Sequence, residues 1–196
     1  MMLIGNIIYT CSSAHPILYS EISLYDDPNK YNDLLRSKYY IVKGNAEFFG
    51  NKIITKDKDN IIINKEYYFN SNIKVYTKVI PNITGDCCII FGVKNYNESI
   101  HNYYAFIING EGFLSFQNRS KNETINLFPN SDLININYNK ENIYKMGIKF
   151  NYSSNEVTTY LNEREIFKIS DKFILYSFVG FLSSNYRTVF TQFLLE

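Results

Sequence analysis

A sugar-cleaving enzyme requires two carboxyl groups about 5 to 9 Å apart, one on each side of the scissile bond. Glu163 and Glu165 are spaced so that their side chains would share one face of a strand. They flank Arg164, however, in a stretch whose composition is typical of a hairpin turn. We interpret the pair as a charged hairpin tip, and the sequence predicts no catalytic residue and no enzyme.

Metal binding is the second chemistry to consider. His15 and His101 are the only histidines, and they are far apart in the chain without the spacing of a zinc site. Calcium would use oxygen ligands instead, and the candidates are Asp86, Asn95, Asn97 and Asp171. No dense acidic loop accompanies them. The sequence therefore predicts no metal and no other cofactor, with calcium as the alternative.

The stretch NYNESIHNYY, residues 95–104, contains groups suited to recognition. Amide and phenol groups lie close together there, and such groups hydrogen-bond to and stack on a sugar or a protein partner. We predict a ligand-binding site formed by Asn95, Asn97, His101, Tyr103 and Tyr104. The alternative is that both tyrosines are ordinary strand residues whose hydroxyls reach solvent.

Neither the cysteines nor the N-terminal sequence decides in which cellular compartment the protein is found. Cys87 and Cys88 are adjacent, so in a strand they point to opposite faces, and Cys11 is the third cysteine. Three free thiols are one interpretation, and a bridge from Cys11 to either member of the pair is the other. The opening MMLIGNIIYTCSSAHP is either a degraded or trimmed secretory signal or a first strand. Secretion or a place at the cell surface is slightly favoured.

The composition excludes some partners. The 196-residue chain has 20 basic and 19 acidic residues and a net charge of +1. The basic residues are scattered along the sequence, which argues against nucleic acid as a partner. The apolar runs are far shorter than the roughly 20 residues that cross a bilayer, so no transmembrane helix is predicted. With 45% hydrophobic residues, the chain has enough apolar material for one large core.

From about residue 39 onward, apolar residues alternate with polar ones, a pattern typical of half-buried strands. In NIKVYTKVI, Val75, Thr77 and Val79 fall on one face, and two lysines and a tyrosine fall on the other. Asn109-Gly110, within YYAFIINGEGFLSFQN, predicts an antiparallel hairpin because this dipeptide tolerates the positive φ of a tight turn. Residues 119–142 are Asn-rich and indicate a long connection with a weak strand at 125–128.

One helix is predicted near the N-terminus. Asp27 would cap it, Pro28 suits its first position, and Tyr31, Leu34 and Leu35 form a short apolar stripe. We therefore expect residues 1–40 to contribute a strand and this helix, both packed on a sandwich formed by residues 41–196.

The order of these segments resembles the concanavalin A-like lectin and glucanase superfamily, nearest to laminin-G-like domains and the 3-keto-disaccharide hydrolase-like family. The resemblance covers about residues 40–196, with matches at Tyr160, Leu161, Asn162, Asp171, Phe173, Val179, Gly180, Phe181, Phe190 and Phe193. It implies an all-β fold, a two-sheet antiparallel jelly-roll sandwich with a short N-terminal helix. The E-x-D-x-(x)-E motif of the glucanase members is missing.

Two positions depart from the family pattern. Glu163 stands where such domains usually have the Gly of an Asn-Gly turn, so a longer or different hairpin is expected there. Tryptophan is absent, which removes the usual stacking platform for a sugar ring.

Together these observations predict a non-catalytic binding or adhesion module for carbohydrate or a protein partner. The first alternative is a structural subunit of a larger assembly, attached through the apolar residues 1–9. The second alternative is a sugar-active hydrolase, which would need two carboxylates in one cleft.

Overall fold

The computed structural model describes residues 28–81, 85–96, 100–127 and 143–195. The expected first strand, Cys11, His15, Asp27 and Asn97 lie outside these residues. The described elements are α1 Pro28–Ser37, β1 Tyr39–Lys43, β2 Ala46–Phe49, β3 Lys52–Thr55, β4 Asn60–Tyr68, β5 Ile73–Ile80, β6 Cys87–Val93, β7 Tyr103–Ile108, β8 Leu114–Arg119, β9 Thr124–Asn126, β10 Tyr144–Asn151, β11 Glu156–Leu161, β12 Arg164–Ser170, a 3-10 helix Lys172–Ile174, β13 Phe178–Ser183, β14 Val189–Thr191 and β15 Leu194–Leu195.

The strands form two sheets, which we call sheet I and sheet II. Sheet I has the order β1-β4-β13-β6-β7-β8-β9, and sheet II has the order β12-β11-β10-β5-β14-β3-β2, with β15 also paired to β5. All the strand pairs are antiparallel. The predicted all-β, two-sheet jelly-roll sandwich with one short helix is confirmed. No helix within the described ranges is long and apolar enough to span a bilayer.

The main core lies between the two sheets and follows the alternation seen in the sequence. In β5, Val75, Thr77 and Val79 are completely buried, as the period of two predicts. Aromatic rings fill much of the space: the ring centroid of Phe181 lies 4.6 Å from that of Phe190 and 4.2 Å from that of Phe193. Stacks of this kind contribute attraction beyond the burial of their area.

Strands β6 and β7 are buried on both faces. Cys87 points into the core between the sheets, whereas Cys88 joins a second apolar cluster on the outer face of sheet I. The prediction that the adjacent cysteines point to opposite faces is therefore confirmed. Both are free thiols, and burial raises the pKa of each.

Two hairpins differ in detail from the sequence expectation. The β7–β8 hairpin forms, but Ile108 pairs with Leu114 and the positive φ of 84° falls at Gly112 instead of in the Asn109-Gly110 dipeptide. The Asn109 side chain stabilises this longer loop, because its Oδ1 accepts from the backbone N–H of Phe113 at 2.9 Å.

The β11–β12 hairpin shows the opposite difference. Leu161 pairs with Arg164, so the turn keeps only Asn162 and Glu163, with φ values of 47° and 70°. The expectation of a longer or different hairpin at this point is wrong. Glu163 adopts the left-handed conformation that a two-residue hairpin turn requires, at a steric cost that glycine would not carry.

Helix α1 packs at the edge of the sandwich. Leu35 is buried in the main core, while Leu34 is 42% exposed, so the predicted apolar stripe contributes mainly one side chain. The Asn32 Oδ1 atom accepts from the backbone N–H of Gly50 at 2.9 Å and ties the helix to the β2–β3 turn.

Candidate functional site

A small cavity opens at the end of the sandwich where β6 leaves sheet I and β7 enters it. We call it the rim pocket. Its volume is about 150 Å³, and its described lining consists of Val93, Lys94, Asn95, Ile100, His101, Asn102 and Phe173. The β6–β7 loop supplies the polar side chains, and the 3-10 helix that follows β12 supplies the aromatic wall.

Asp171 fixes the position of that wall. Its Oδ1 accepts from the backbone N–H of Phe173 at 2.8 Å and caps the 3-10 helix. Its Oδ2 accepts a hydrogen bond from the hydroxyl of Tyr104. Burial raises the pKa of Tyr104, and the bond to Asp171 raises it further, so the phenol stays protonated and donates.

Gly92 allows these groups to approach closely. Its φ is +83°, and a Cβ atom there would lie 3.2 Å from Phe173 Cε1 and 3.3 Å from Tyr104 Cδ2. A larger residue would strain the backbone and push against both rings. Gly92, the second-last residue of the apolar run CCIIFGV, therefore shapes the wall of the rim pocket.

Lys94 also contacts the ring of Phe173. Its ammonium group donates to the carbonyl oxygen of Leu175 and lies 5.1 Å from the centroid of the Phe173 ring. Partial burial lowers the pKa of Lys94, and nearby Asp171 opposes this shift. The aromatic wall is thus held by a cation–π contact, a capping carboxylate and the ring of Tyr104.

The structure brings together some of the predicted site residues and separates others. Asn95 and His101 line the rim pocket, and Tyr104 lies behind it, connected through Asp171. Tyr103 points to the outer face of sheet I, where it is 8% exposed and hydrogen-bonds to Arg119. Asn97 lies outside the described residues.

Sequence reasoning missed five of the seven described lining residues, namely Val93, Lys94, Ile100, Asn102 and Phe173. Lys94 immediately precedes the predicted loop and Asn102 lies within it, and nothing in the sequence distinguishes either from the other polar residues there. Phe173 was noted only as part of a family pattern. The signal that could have identified it is Asp171, because Asp is a preferred helix N-cap residue and places Phe173 at the second position of the helix that follows.

The structure does not bring the described candidate metal ligands together at the rim pocket. Among the described residues, no three His, Cys, Asp or Glu side chains are close enough to hold a metal ion. Of the proposed calcium ligands, Asp86 lines a different cavity from Asn95. Asp171 is already bound to Tyr104 and to the backbone of Phe173.

That different cavity lies on the outer face of sheet I beside the β7–β8 hairpin. It has a volume of about 370 Å³, and its described lining is Asp86, Ile107, Asn109, Glu111, Phe113, Ser115, Gln117 and Asn126. Burial raises the pKa of Asp86, and the nearby guanidinium of Arg119 partly opposes the shift. Two carboxylates, Asp86 and Glu111, therefore line one cavity.

Comparison with known proteins was made by sequence and by structure. No protein-family model matches the chain, and no curated protein sequence matches it. A carbohydrate-binding module from Bacillus subtilis, CBM66, superposes with a TM-score of 0.61 at 13% identity, over 81% of this chain and 95% of that one. The Emp46p carbohydrate recognition domain in its potassium-bound form superposes with a TM-score of 0.59 at 7% identity, over 82% and 88% of the two chains.

This chain has the concanavalin A-like sandwich fold. A Crh5 transglycosylase in complex with NAG shares the fold with a TM-score of 0.54 at 8% identity, over 85% of this chain and 81% of that one. The fold thus serves both carbohydrate-binding domains and carbohydrate-active enzymes among its structural neighbours. Fold similarity alone does not assign either role, because function depends on the side chains at a site.

Proposed function

We propose that the chain is a non-catalytic module that binds carbohydrate in the rim pocket. The observation that carries the proposal is the arrangement of Asn95, His101 and Asn102 in one cavity with the ring of Phe173. Amide and imidazole groups hydrogen-bond to sugar hydroxyls, and an aromatic ring packs on the apolar face of a sugar. Phe173 would take the role that tryptophan commonly plays in this fold.

The size of the pocket favours a small ligand. Sites for drug-sized molecules enclose about 300 to 1,000 Å³, whereas the rim pocket encloses about 150 Å³. One sugar ring, such as the terminal residue of a glycan, fits this space better than a long chain. The CBM66 and Emp46p domains, whose names describe carbohydrate binding, support the same ligand class.

The charges around the pocket favour binding over hydrolysis. Glycoside hydrolysis requires two carboxyl groups flanking the bond, and no carboxylate is among the described lining residues. Asp171, which caps the helix that carries Phe173, accepts hydrogen bonds from the backbone N–H of Phe173 and the hydroxyl of Tyr104 with its two oxygens. These hydrogen bonds account for Asp171 as a structural residue, and no catalytic role is needed to explain it.

A glycan-array screen of the full chain, followed by titration of the best glycan, tests the proposal. Asn95→Ala, His101→Ala and Phe173→Leu should each weaken binding about tenfold or more, since each removes a hydrogen bond or the aromatic face. Asn51→Ala is the matched control, because Asn51 is exposed in the β2–β3 turn away from the pocket lining. A chain that binds no glycan, or variants that bind as well as the parent chain, would contradict the proposal.

The cavity on the outer face of sheet I favours a second candidate, a sugar-active hydrolase. Asp86 and Glu111 line it together, and the raised pKa of Asp86 suits a general acid. Release of reducing sugar from a panel of oligosaccharides would be the assay. Activity that disappears in both Asp86→Asn and Glu111→Gln would establish hydrolysis, whereas a complete absence of turnover would leave the binding module as the conclusion.

A further inference from the structure

Strands β5 and β10 present an unusual set of side chains on the outer face of sheet II. Because alternate residues point to the core, the intervening ones point outward. The register pairs Lys74 with Lys149 and Lys78 with Lys145, and Gly147 lies opposite Tyr76 on one side and Tyr160 on the other. We call this set the lysine face: Lys74, Tyr76, Lys78, Lys145, Gly147, Lys149 and Tyr160.

We propose that the lysine face is a binding site for an acidic polysaccharide, one that carries sulfate or carboxylate groups. This site is separate from the rim pocket, and the proposal does not depend on the function assigned to that pocket.

The first argument is electrostatic. Like charges directly opposite each other on neighbouring strands destabilise a sheet, and two such lysine pairs occur here. Glu163 offsets part of this charge, since its Oε1 lies 3.2 Å from Lys145 Nζ. Bound anions would relieve the repulsion that remains between the opposed pairs.

The second argument concerns Gly147. Its φ does not require glycine, and a Cβ atom there would meet its nearest neighbours, Tyr76 Cβ and the carbonyl oxygen of Val75, at 3.4 Å, an ordinary contact distance. Neither the backbone nor the packing therefore demands this residue. Gly147 itself is buried, and its missing side chain leaves a slot of about 20 Å³ between the two tyrosines, lined also by Lys74, Lys145 and Glu163. A space of this size holds about one water molecule, so the part of a ligand that enters it would be a single hydroxyl or anionic oxygen.

The third argument identifies the ligand class. Lys145 Nζ lies 4.0 Å from the centroid of the Tyr76 ring, and Lys74 Nζ lies 5.4 Å from that of Tyr160. Single-stranded nucleic acids usually bind by stacking successive bases on aromatic rings along the strand, whereas the lysine face has two rings, which lie on opposite sides of Gly147. The phenol hydroxyls and ring edges still suit the hydroxyl groups of a sugar chain, and the lysines suit its anionic groups.

The spacing of the lysines also favours a polymer. Residues four apart in one strand are separated by about 13 Å, so the pairs form two cationic positions along β10 with the slot between them. A polysaccharide with charges that recur along its length can contact both positions at once. A single small anion would contact one of them.

Fluorescence anisotropy with labelled dextran sulfate, which carries sulfate alone, and labelled polygalacturonate, which carries carboxylate alone, tests the proposal on the full chain and separates sulfate from carboxylate recognition. We expect saturable binding to at least one of them that weakens as salt is raised above about 0.15 M. Neutral dextran should not compete. The double variant Lys74→Ala/Lys149→Ala should weaken binding at least about tenfold.

Two comparison variants make the test specific. Lys58→Ala/Lys121→Ala removes the same charge from two exposed lysines in turns outside sheet II and should change affinity less than about threefold. Gly147→Ala keeps all four lysines and fills the slot, so it should weaken binding about fivefold or more while thermal stability is unchanged or slightly higher.

Three results would overturn the proposal: no binding to either polysaccharide, equal losses in the two double-lysine variants, or tighter binding to a single-stranded oligonucleotide than to both polysaccharides.

Discussion

Tyr104→Phe isolates the hydrogen bond that connects the sheet to the wall of the rim pocket. The change removes the donor to Asp171 Oδ2 and keeps the ring, which is 2% exposed and packed against Phe91 at 5.5 Å between centroids. Hydrogen bonds to charged groups contribute about 1.5 to 3 kcal/mol. Asp171 is half-buried, so water replaces part of the interaction. We expect a loss of about 1 to 2 kcal/mol in the free energy of unfolding.

This loss corresponds to a decrease in Tm of about 2 to 8 °C for a chain of this length. Urea unfolding should show a lower midpoint with an unchanged slope, because the change does not alter how compact the chain is. Affinity for the glycan that binds the rim pocket should also fall, since Asp171 would hold Phe173 less firmly.

Tyr103→Phe is the matched control. The same atom is removed one residue away, but this hydroxyl faces Arg119 on the outer side of sheet I. It should lower stability to a similar degree and leave glycan affinity unchanged. Equal losses of affinity in the two variants, or no loss of stability in Tyr104→Phe, would refute the assignment of Asp171 and Tyr104 as supports for Phe173.

Three further predictions concern the scaffold. Phe181→Ala should cost about 3 to 5 kcal/mol in urea unfolding, because its fully buried ring stacks on three others in the main core. Glu163→Gly should raise the free energy of unfolding by about 0.5 to 1 kcal/mol. Glycine relieves the strain of the positive φ, and this gain outweighs the loss of the exposed ion pair with Lys145. A lower Tm would contradict this prediction. Burial raises the pKa values of Cys87 and Tyr39, so these groups ionise in the unfolded chain at a lower pH than in the folded one. The free energy of unfolding should therefore fall above about pH 9 to 10, by about 1.4 kcal/mol per pH unit for each of the two groups. Urea midpoints that stay constant from pH 8 to 10.5 would refute this prediction.

The sandwich was predictable because its signal is local and repeated. Alternation in a strand such as β5 fixes which side chains are buried, and the doubly apolar run of β6 indicates a strand covered on both faces. Turn geometry was less predictable. The dipeptide Asn109-Gly110 suggested a tight turn, yet the Asn109 side chain accepts backbone hydrogen bonds and favours a longer loop with its positive φ at Gly112. At Glu163 the register of two long strands imposed a conformation that the residue itself disfavours.

The rim pocket was predictable only in part. Asn95 and His101 are close in sequence, so a shared loop was enough to associate them. Phe173 lies about 70 residues further along the chain, and its place beside them depends on how β12 and the 3-10 helix meet β6. Tyr103 and Tyr104 were grouped because they are adjacent, but adjacent strand residues point to opposite faces. The same rule that was applied correctly to the cysteines would have separated the tyrosines.

The lysine face shows why a chain with almost balanced charge can still present a strong local field. The sequences KVYTK and KMGIK are separated by more than sixty residues, and each one alone is an ordinary half-buried strand with a polar side. Antiparallel pairing of β5 with β10 places the two lysines of each strand directly opposite those of the other. The net charge of +1 sums over both sheets and both ends of the sandwich, so it carries no information about this arrangement. Scattering in sequence therefore does not exclude a polyanion as ligand, because the register of the strands determines which charges share a face.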